Sequence, residues 1–227
     1  MRKELFIPIA IVFAGAVIAV AILITHPHLA SNTNGNPQAA LPITSSDHLL
    51  GNPEAPVVLV EYADVDSEYS KDFQSVMEQV IQDYGTKGNV AWIYRDFPLT
   101  DQDPTSEKDD EAAECAAGLG SPSDFFSFID AMQAAAPGDD QFDPSGYDAI
   151  VSTLGIATGS FDDCLTAHTY QKQVAADYAS GEAVGVSGTP YSVLFVKGQK
   201  PITISGFVPY ATMKQLLDTD IQKALAQ

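Results

Sequence analysis

The sequence predicts an α/β fold in which a mixed sheet carries helices on its faces and an all-helical insertion interrupts it. Three observations lead there. Val57–Ala63, VVLVEYA, is a nearly unbroken apolar run of strand length, as expected of a strand buried on both faces. Directly after it, Phe73, Val76, Met77, Val80, Ile81 and Tyr84 fall three and four apart, which is one face of an amphipathic helix. Near the C-terminus two further apolar runs bracket a Lys- and Gly-containing turn, the pattern of a hairpin.

Along the chain, Asp47–Pro56 reads as a turn-rich lead-in to the strand Val57–Ala63. Asp64–Ser67 is a short turn with helix-capping residues, and the helix runs on from Ser70. Val90–Tyr94 is a second buried strand, continuing through Arg95–Leu99. The connection between the two strands is a helix, so they pair in parallel. Residues 100–110 are polar and acidic and read as a loop or the approach to a helix. Glu111–Leu119 and Ser123–Ala135 are helical, Tyr147–Leu154 and Phe161–Thr166 are short helices, and Tyr170–Val184 is a longer one. Tyr191–Val196 and Ile202–Phe207 form the hairpin, and a helix from about Tyr210 to Ala226 closes the chain. The order is βαβ, a helical block, then ββα.

The first residues bear on compartment. Arg2 and Lys3 precede an uncharged, mostly aliphatic run, Leu5–Thr25, long enough to cross a bilayer as a helix. No clear small-x-small cleavage site follows, so an uncleaved signal anchor is expected, with a cleaved signal peptide as the open alternative; residues 1–4 are then a cytoplasmic stub and the bulk of the chain is extracytoplasmic. The main domain is expected at 47–227, with the helical insertion at about 100–184. Residues 26–46 between anchor and domain are expected to be a flexible linker, with a coil span of roughly 20–25 Å. The net charge is −19, which excludes nucleic-acid binding through a basic surface. Cys115 and Cys164 are the only cysteines, and a disulfide between them requires an oxidising compartment.

Several separate segments resemble the DsbA-type disulfide oxidoreductases, a thioredoxin-fold family with a helical insertion. They are Gly51-Asn52-Pro53-Glu54-Ala55-Pro56 before a Val-rich strand, Tyr94-Arg95-Asp96-Phe97-Pro98-Leu99, Ala112-Ala113-Glu114-Cys115-Ala116, and Val184-Gly185-Val186-Ser187-Gly188-Thr189-Pro190. The resemblance covers roughly Asp47 to the C-terminus. It implies a cis bond before Pro190, facing the start of the first helix, and a surface there that meets extended peptide. It implies no cofactor. Some relatives carry a second, structural disulfide where Cys115 and Cys164 fall. The open alternatives for that pair are a working redox couple and two buried thiols.

One departure governs the functional reading. The family places C-x-x-C where this chain has Ser67-Glu68-Tyr69-Ser70. A helix N-terminus stabilises a thiolate, but a serine hydroxyl is hardly ionised at neutral pH and forms no disulfide. The serines are therefore expected to cap the helix. A hydrolytic role for either needs a base in reach, and none of His26, His28, His48 and His168 stands in a triad context. Asp64, Asp66 and Glu68 match no complete cation-binding loop, so no metal site is assigned. The leading expectation is a membrane-anchored pseudoenzyme that binds extended or unfolded polypeptide, or another envelope protein, through Glu68, Tyr69, Thr189 and Pro190. The competing expectation is an oxidoreductase, through Cys115 and Cys164 or as an active parent whose two cysteines were changed to serine.

Overall fold

The computed structural model describes residues 35–137 and 141–225. The expected span at 5–25 and the stub before it lie outside these residues. Among the described residues no helix is long and apolar enough to cross a membrane.

The elements are β1 (His48–Gly51), β2 (Val57–Ala63), α1 (Glu68–Val80), β3 (Val90–Asp96), α2 (Ser106–Leu119), α3 (Asp124–Ala135), α4 (Tyr147–Thr153), α5 (Thr158–Thr166), α6 (Gln171–Val184), β4 (Tyr191–Val196), β5 (Ile202–Ser205) and α7 (Tyr210–Leu225). The strands form one sheet in the order β1-β3-β2-β4-β5. β2 runs parallel to β3, from Val57 opposite Val90 to Ala63 opposite Asp96, and antiparallel to β4, with Tyr62 opposite Tyr191. This is the mixed sheet with a helical insertion that the pattern predicts.

Two local readings change. The lead-in holds a fifth strand, β1, antiparallel to β3 with His48 opposite Tyr94. Four residues with two adjacent leucines carry too little period to announce an edge strand. α2 starts at Ser106, within the stretch expected as a loop or helix approach, because the polar SEKDD residues already begin the helix. Its acidic residues suit a positive helix end, and Asp109 and Asp110 are buried.

Both faces of the sheet are covered. On one side Leu59, Ala63, Trp92 and Leu194 meet Phe73 and Met77 of α1 and Met213 and Leu217 of α7. That core runs without a break into the helical insertion, where Phe125 and Phe126 pack on Tyr94 and Trp92 with ring centroids 5.3 and 5.2 Å apart. On the other side Val60, Tyr62, Ile93 and Val193 pack under α6. The helix lies close here: a Cβ at Gly181 would sit 2.5 Å from the Phe97 ring.

The described part of the expected linker is docked. Pro37–Ala40 form a turn of 3₁₀ helix capped by the Asn36 side chain, which accepts from Gln38 N–H at 3.2 Å. Asn36 N–H donates to Ala183 O at 3.0 Å, and Ala40 is fully buried in the second core. Arg95 anchors the chain between this turn and β1, donating to Asp47 at 2.7 and 3.2 Å and to Pro42 O at 3.2 Å. The Pro- and Ala-rich composition that suggests a coil instead supplies a compact strap, because small side chains fit between α6 and the sheet.

Candidate functional site

The chain leaves β2 at Ala63 and enters α1 at Glu68, and the turn between is held by one carboxylate. Asp64 Oδ1 accepts from Asp66 N–H at 3.0 Å. Its Oδ2 accepts from Leu99 N–H at 2.8 Å and from the Ser106 hydroxyl at 2.7 Å. Burial pushes this carboxyl up, and the three donors oppose that shift. Asp66 then ties the helix start to the insertion. Its Oδ1 pairs with Lys71 Nζ at 2.7 Å, while Oδ2 accepts from Phe142 N–H at 2.7 Å.

Ser67 occupies the N-cap position, with extended backbone at φ −71°, ψ 127°, but its side chain makes no capping bond. Ser70 is buried in the first turn, and its hydroxyl has no hydrogen-bond partner. The expected capping by the serines is therefore absent. The turn is closed by Asp64, and Ser67 contributes only backbone groups: its N–H donates to Asp64 O at 3.2 Å and its carbonyl accepts from Lys71 N–H at 2.9 Å. Among the described residues, no histidine serves the serines as a base. His48 lies 2.9 Å from Glu114 and His168 3.2 Å from Glu111, both acids on α2.

The Thr189–Pro190 bond is cis. Tyr191 faces Tyr62 across the sheet, so Pro190 stands beside Ala63, at the same sheet end as the start of α1. Thr189 is buried with an unpartnered hydroxyl, and Pro190 O accepts from Gly206 N–H at 2.8 Å. Next to the helix start lies a cleft of about 200 Å³, lined by Asp66, Ser67, Glu68, Tyr69, Leu99 and Asp103 among others. Tyr69 is 59% exposed. Thus Ser67, Glu68 and Tyr69 share the cleft, Ser70 lies beneath it, and Thr189–Pro190 stand at the same end of the sheet.

Cys115 and Cys164 are elsewhere, joined by a disulfide between α2 and α5 with their Cα atoms 6.1 Å apart. Neither is free to act as a thiol.

Sequence reasoning missed Glu61. It is fully buried on the α1 face of β2, where its Oε2 accepts from the Trp92 indole N–H at 2.8 Å and its Oε1 has no partner. Burial pushes its carboxyl up to about 8. The signal was present as one acid inside an apolar strand, which is costly to bury unless it stays protonated.

For cations, the triplet noted in the sequence is not the group that converges here. Oxygens of Asp66, Asp103 and Asp109 lie within 4.8 Å of one another. These are largely satisfied within the protein. Both oxygens of Asp66 are engaged, Asp109 takes the hydroxyls of Tyr147 and Thr105, and Asp103 Oδ1 takes the amide and hydroxyl of Thr105.

A family model described as thioredoxin matches residues 44–219. Among solved structures, α-DsbA1 of Wolbachia pipientis is 20% identical with a TM-score of 0.71, covering 84% of this chain and 98% of that one. Oxidised BdbD of Bacillus subtilis is 20% identical with a TM-score of 0.68, covering 80% and 96%. Among curated proteins, the Na(+)/H(+) antiporter NhaA 3 of Salinispora tropica is 30% identical over 154 residues, 68% of this chain. The chain spans only 22% of that protein's length.

Proposed function

The chain belongs to the thioredoxin family and shares the fold of DsbA structures, and from that premise we propose that it is a redox-inactive member that binds extended polypeptide. The observation that carries this reading is the pairing of Ser67-Glu68-Tyr69-Ser70 at the start of α1 with cis Thr189–Pro190 at the same sheet end. The family's peptide-facing surface is retained, and its two sulfur positions carry hydroxyls. Main-chain pairing of an extended peptide needs no sulfur, whereas dithiol exchange does.

The proposal includes the address. Residues 5–25 anchor the chain in the cell membrane with a single pass, the N-terminus stays in the cytoplasm, and the domain faces the outside. There it meets unfolded polypeptide or another envelope protein. Two features support this: the oxidised Cys115–Cys164 pair, which suits an oxidising compartment, and the similarity to a segment of chains named as Na(+)/H(+) antiporters.

The test uses the full chain in detergent. Insulin reduction and oxidation of a model dithiol are measured beside anisotropy of a labelled, permanently unfolded polypeptide. The expected result is no turnover, with saturable binding that weakens on Tyr69→Ala. Turnover that vanishes in a Cys115→Ala/Cys164→Ala variant would overturn the proposal and move the chemistry to the insertion. Absence of saturable binding would also overturn it.

A further inference from the structure

The cleft at the start of α1 has a neighbour. A second cavity of about 290 Å³ is lined by Pro98, Thr100, Glu107, Val174, Ala175 and Tyr178. Leu99 lines the cleft while Pro98 and Thr100 line the second cavity, so one stretch of chain walls both. Tyr69 and Tyr178 are two of the four large apolar side chains exposed among the described residues, and each lines one of these cavities. Tyr178 is stacked on Phe97, with ring centroids 4.4 Å apart and planes 15° from parallel. Single exposed apolar residues are ordinary, but two at adjoining cavities mark a surface that meets apolar groups.

The charge around them has one sign. Asp64, Asp66, Glu68 and Asp103 line the cleft, Glu107 lines the second cavity, and among the described residues no basic side chain lines either. Lys71 offsets Asp66 through their ion pair. Asp103 is only 7% exposed; its Oδ1 accepts from the amide and hydroxyl of Thr105, while its Oδ2 has no partner. A buried carboxylate oxygen without a donor keeps its desolvation cost, and an ammonium or guanidinium supplies both the donor and the charge. In an extended chain, side chains two positions apart point the same way, about 7 Å from each other, a spacing that suits adjoining cavities.

We propose that the peptide surface selects cationic segments: a lysine or arginine enters the cleft toward Asp103 and Glu68, and an aromatic or aliphatic side chain close to it in sequence enters the cavity beside Tyr178. This rests on the peptide-binding reading above and names its substrate class. Acidic segments are repelled by the lining carboxylates, and neutral ones leave Asp103 unpaired.

The test uses the full chain in non-ionic detergent with labelled Gly/Ser-based peptides of equal length. Three carry lysine, glutamine or glutamate two positions from a tyrosine, and a fourth carries lysine without the tyrosine. Anisotropy is read at low and high salt for the wild type, Asp103→Asn, Glu68→Gln, Tyr178→Ala and Asp163→Asn, the last an exposed control on α5 that lines neither cavity. The lysine–tyrosine peptide should bind at least about tenfold more tightly than the glutamine one, the glutamate peptide least, and the gap should narrow in salt. Asp103→Asn keeps an acceptor for Thr105 and removes the charge; it should lower affinity for the lysine–tyrosine peptide about tenfold and leave the glutamine peptide unchanged. Tyr178→Ala should weaken every peptide that carries tyrosine and spare the one without it, and Asp163→Asn should change nothing. Near-UV circular dichroism reports whether each variant folds; should Asp103→Asn not, Glu68→Gln carries the charge comparison. If no peptide of any charge binds, the peptide-binding reading falls and this inference with it. Binding without charge preference, a preference that survives both Asp103→Asn and Glu68→Gln, equal loss in the Asp163 control, or no effect of Tyr178→Ala overturns the selection while peptide binding stands.

Discussion

Replacing Glu61 with glutamine tests whether that carboxyl is held as a neutral acid. Its ordinary value is 4.5, and burial lifts it to about 8 in the folded protein. Between those values the native state keeps a proton that the unfolded chain has released. Stability therefore falls as pH rises through the window and levels off above about 8. At 1.36 kcal/mol per pH unit, the full interval is worth about 5 kcal/mol for this fully buried group. Glu61→Gln removes the titration and keeps an oxygen to accept from the Trp92 indole. The new amide N–H₂ faces the side where Glu61 Oε1 has no partner, at a pH-independent cost of about 1–3 kcal/mol. Urea denaturation of both proteins at intervals from pH 4.5 to 8.5 gives the comparison, with the other buried acids common to both. The variant should be the less stable at the acid end. It should gain on the wild type by about 1.4 kcal/mol per pH unit and be the more stable at pH 8. Two parallel stability curves would refute the reasoning.

Three further outcomes are expected. Arg95→Lys keeps the charge but loses the fork that reaches Asp47, Pro42 O, Tyr62 and Ser180; it should cost about 2–3 kcal/mol and raise amide exchange across residues 36–47, and unchanged exchange there would contradict the anchoring role. Asp64→Ala orphans two backbone N–H groups and the Ser106 hydroxyl and should lower unfolding stability in urea by about 2–4 kcal/mol; a loss no larger than that of a surface alanine substitution would show the turn is closed by something else. Removing the Cys115–Cys164 bridge, which spans 49 positions, should cost about 4 kcal/mol on the chain-entropy view, read as the difference between oxidised and Cys115→Ala/Cys164→Ala protein in denaturant.

The strands of the sheet centre were legible because they are buried on both faces. Val57–Ala63 and Tyr191–Val196 are apolar runs whose bounds the structure repeats. The amphipathic spacing after Ser70 likewise marked α1. The hidden features depend on partners distant in the chain. Glu61 is tolerable in β2 only because Trp92, thirty-one positions on, donates to it. The strap at 35–43 looks like a linker until the groove between α6 and the sheet is known. Ser67 reads as a cap by residue type, yet the turn is closed by Asp64 through Leu99 and Ser106, on a different part of the chain. Asp96 drew notice only as part of a family-like segment; its full burial depends on parts of the chain that fold over it.

The docked strap shortens the leash. With residues 5–25 in the bilayer as proposed, about nine residues separate the span from Gly35, a reach of no more than about 35 Å when fully extended. Gly35 and Asn36 are fixed against Ala183 and Val184 at the C-terminal end of α6. Five residues further along the chain from Gly185 is Pro190, so the attachment point and the cleft end of the sheet are within about 18 Å. The cleft is thereby carried on the side of the domain from which the leash leaves. On the anchored, peptide-binding proposal, its encounters would be confined to a thin layer over the membrane, with polypeptides emerging from it or tethered to it, and the search would run in two dimensions where a free domain's would run in three.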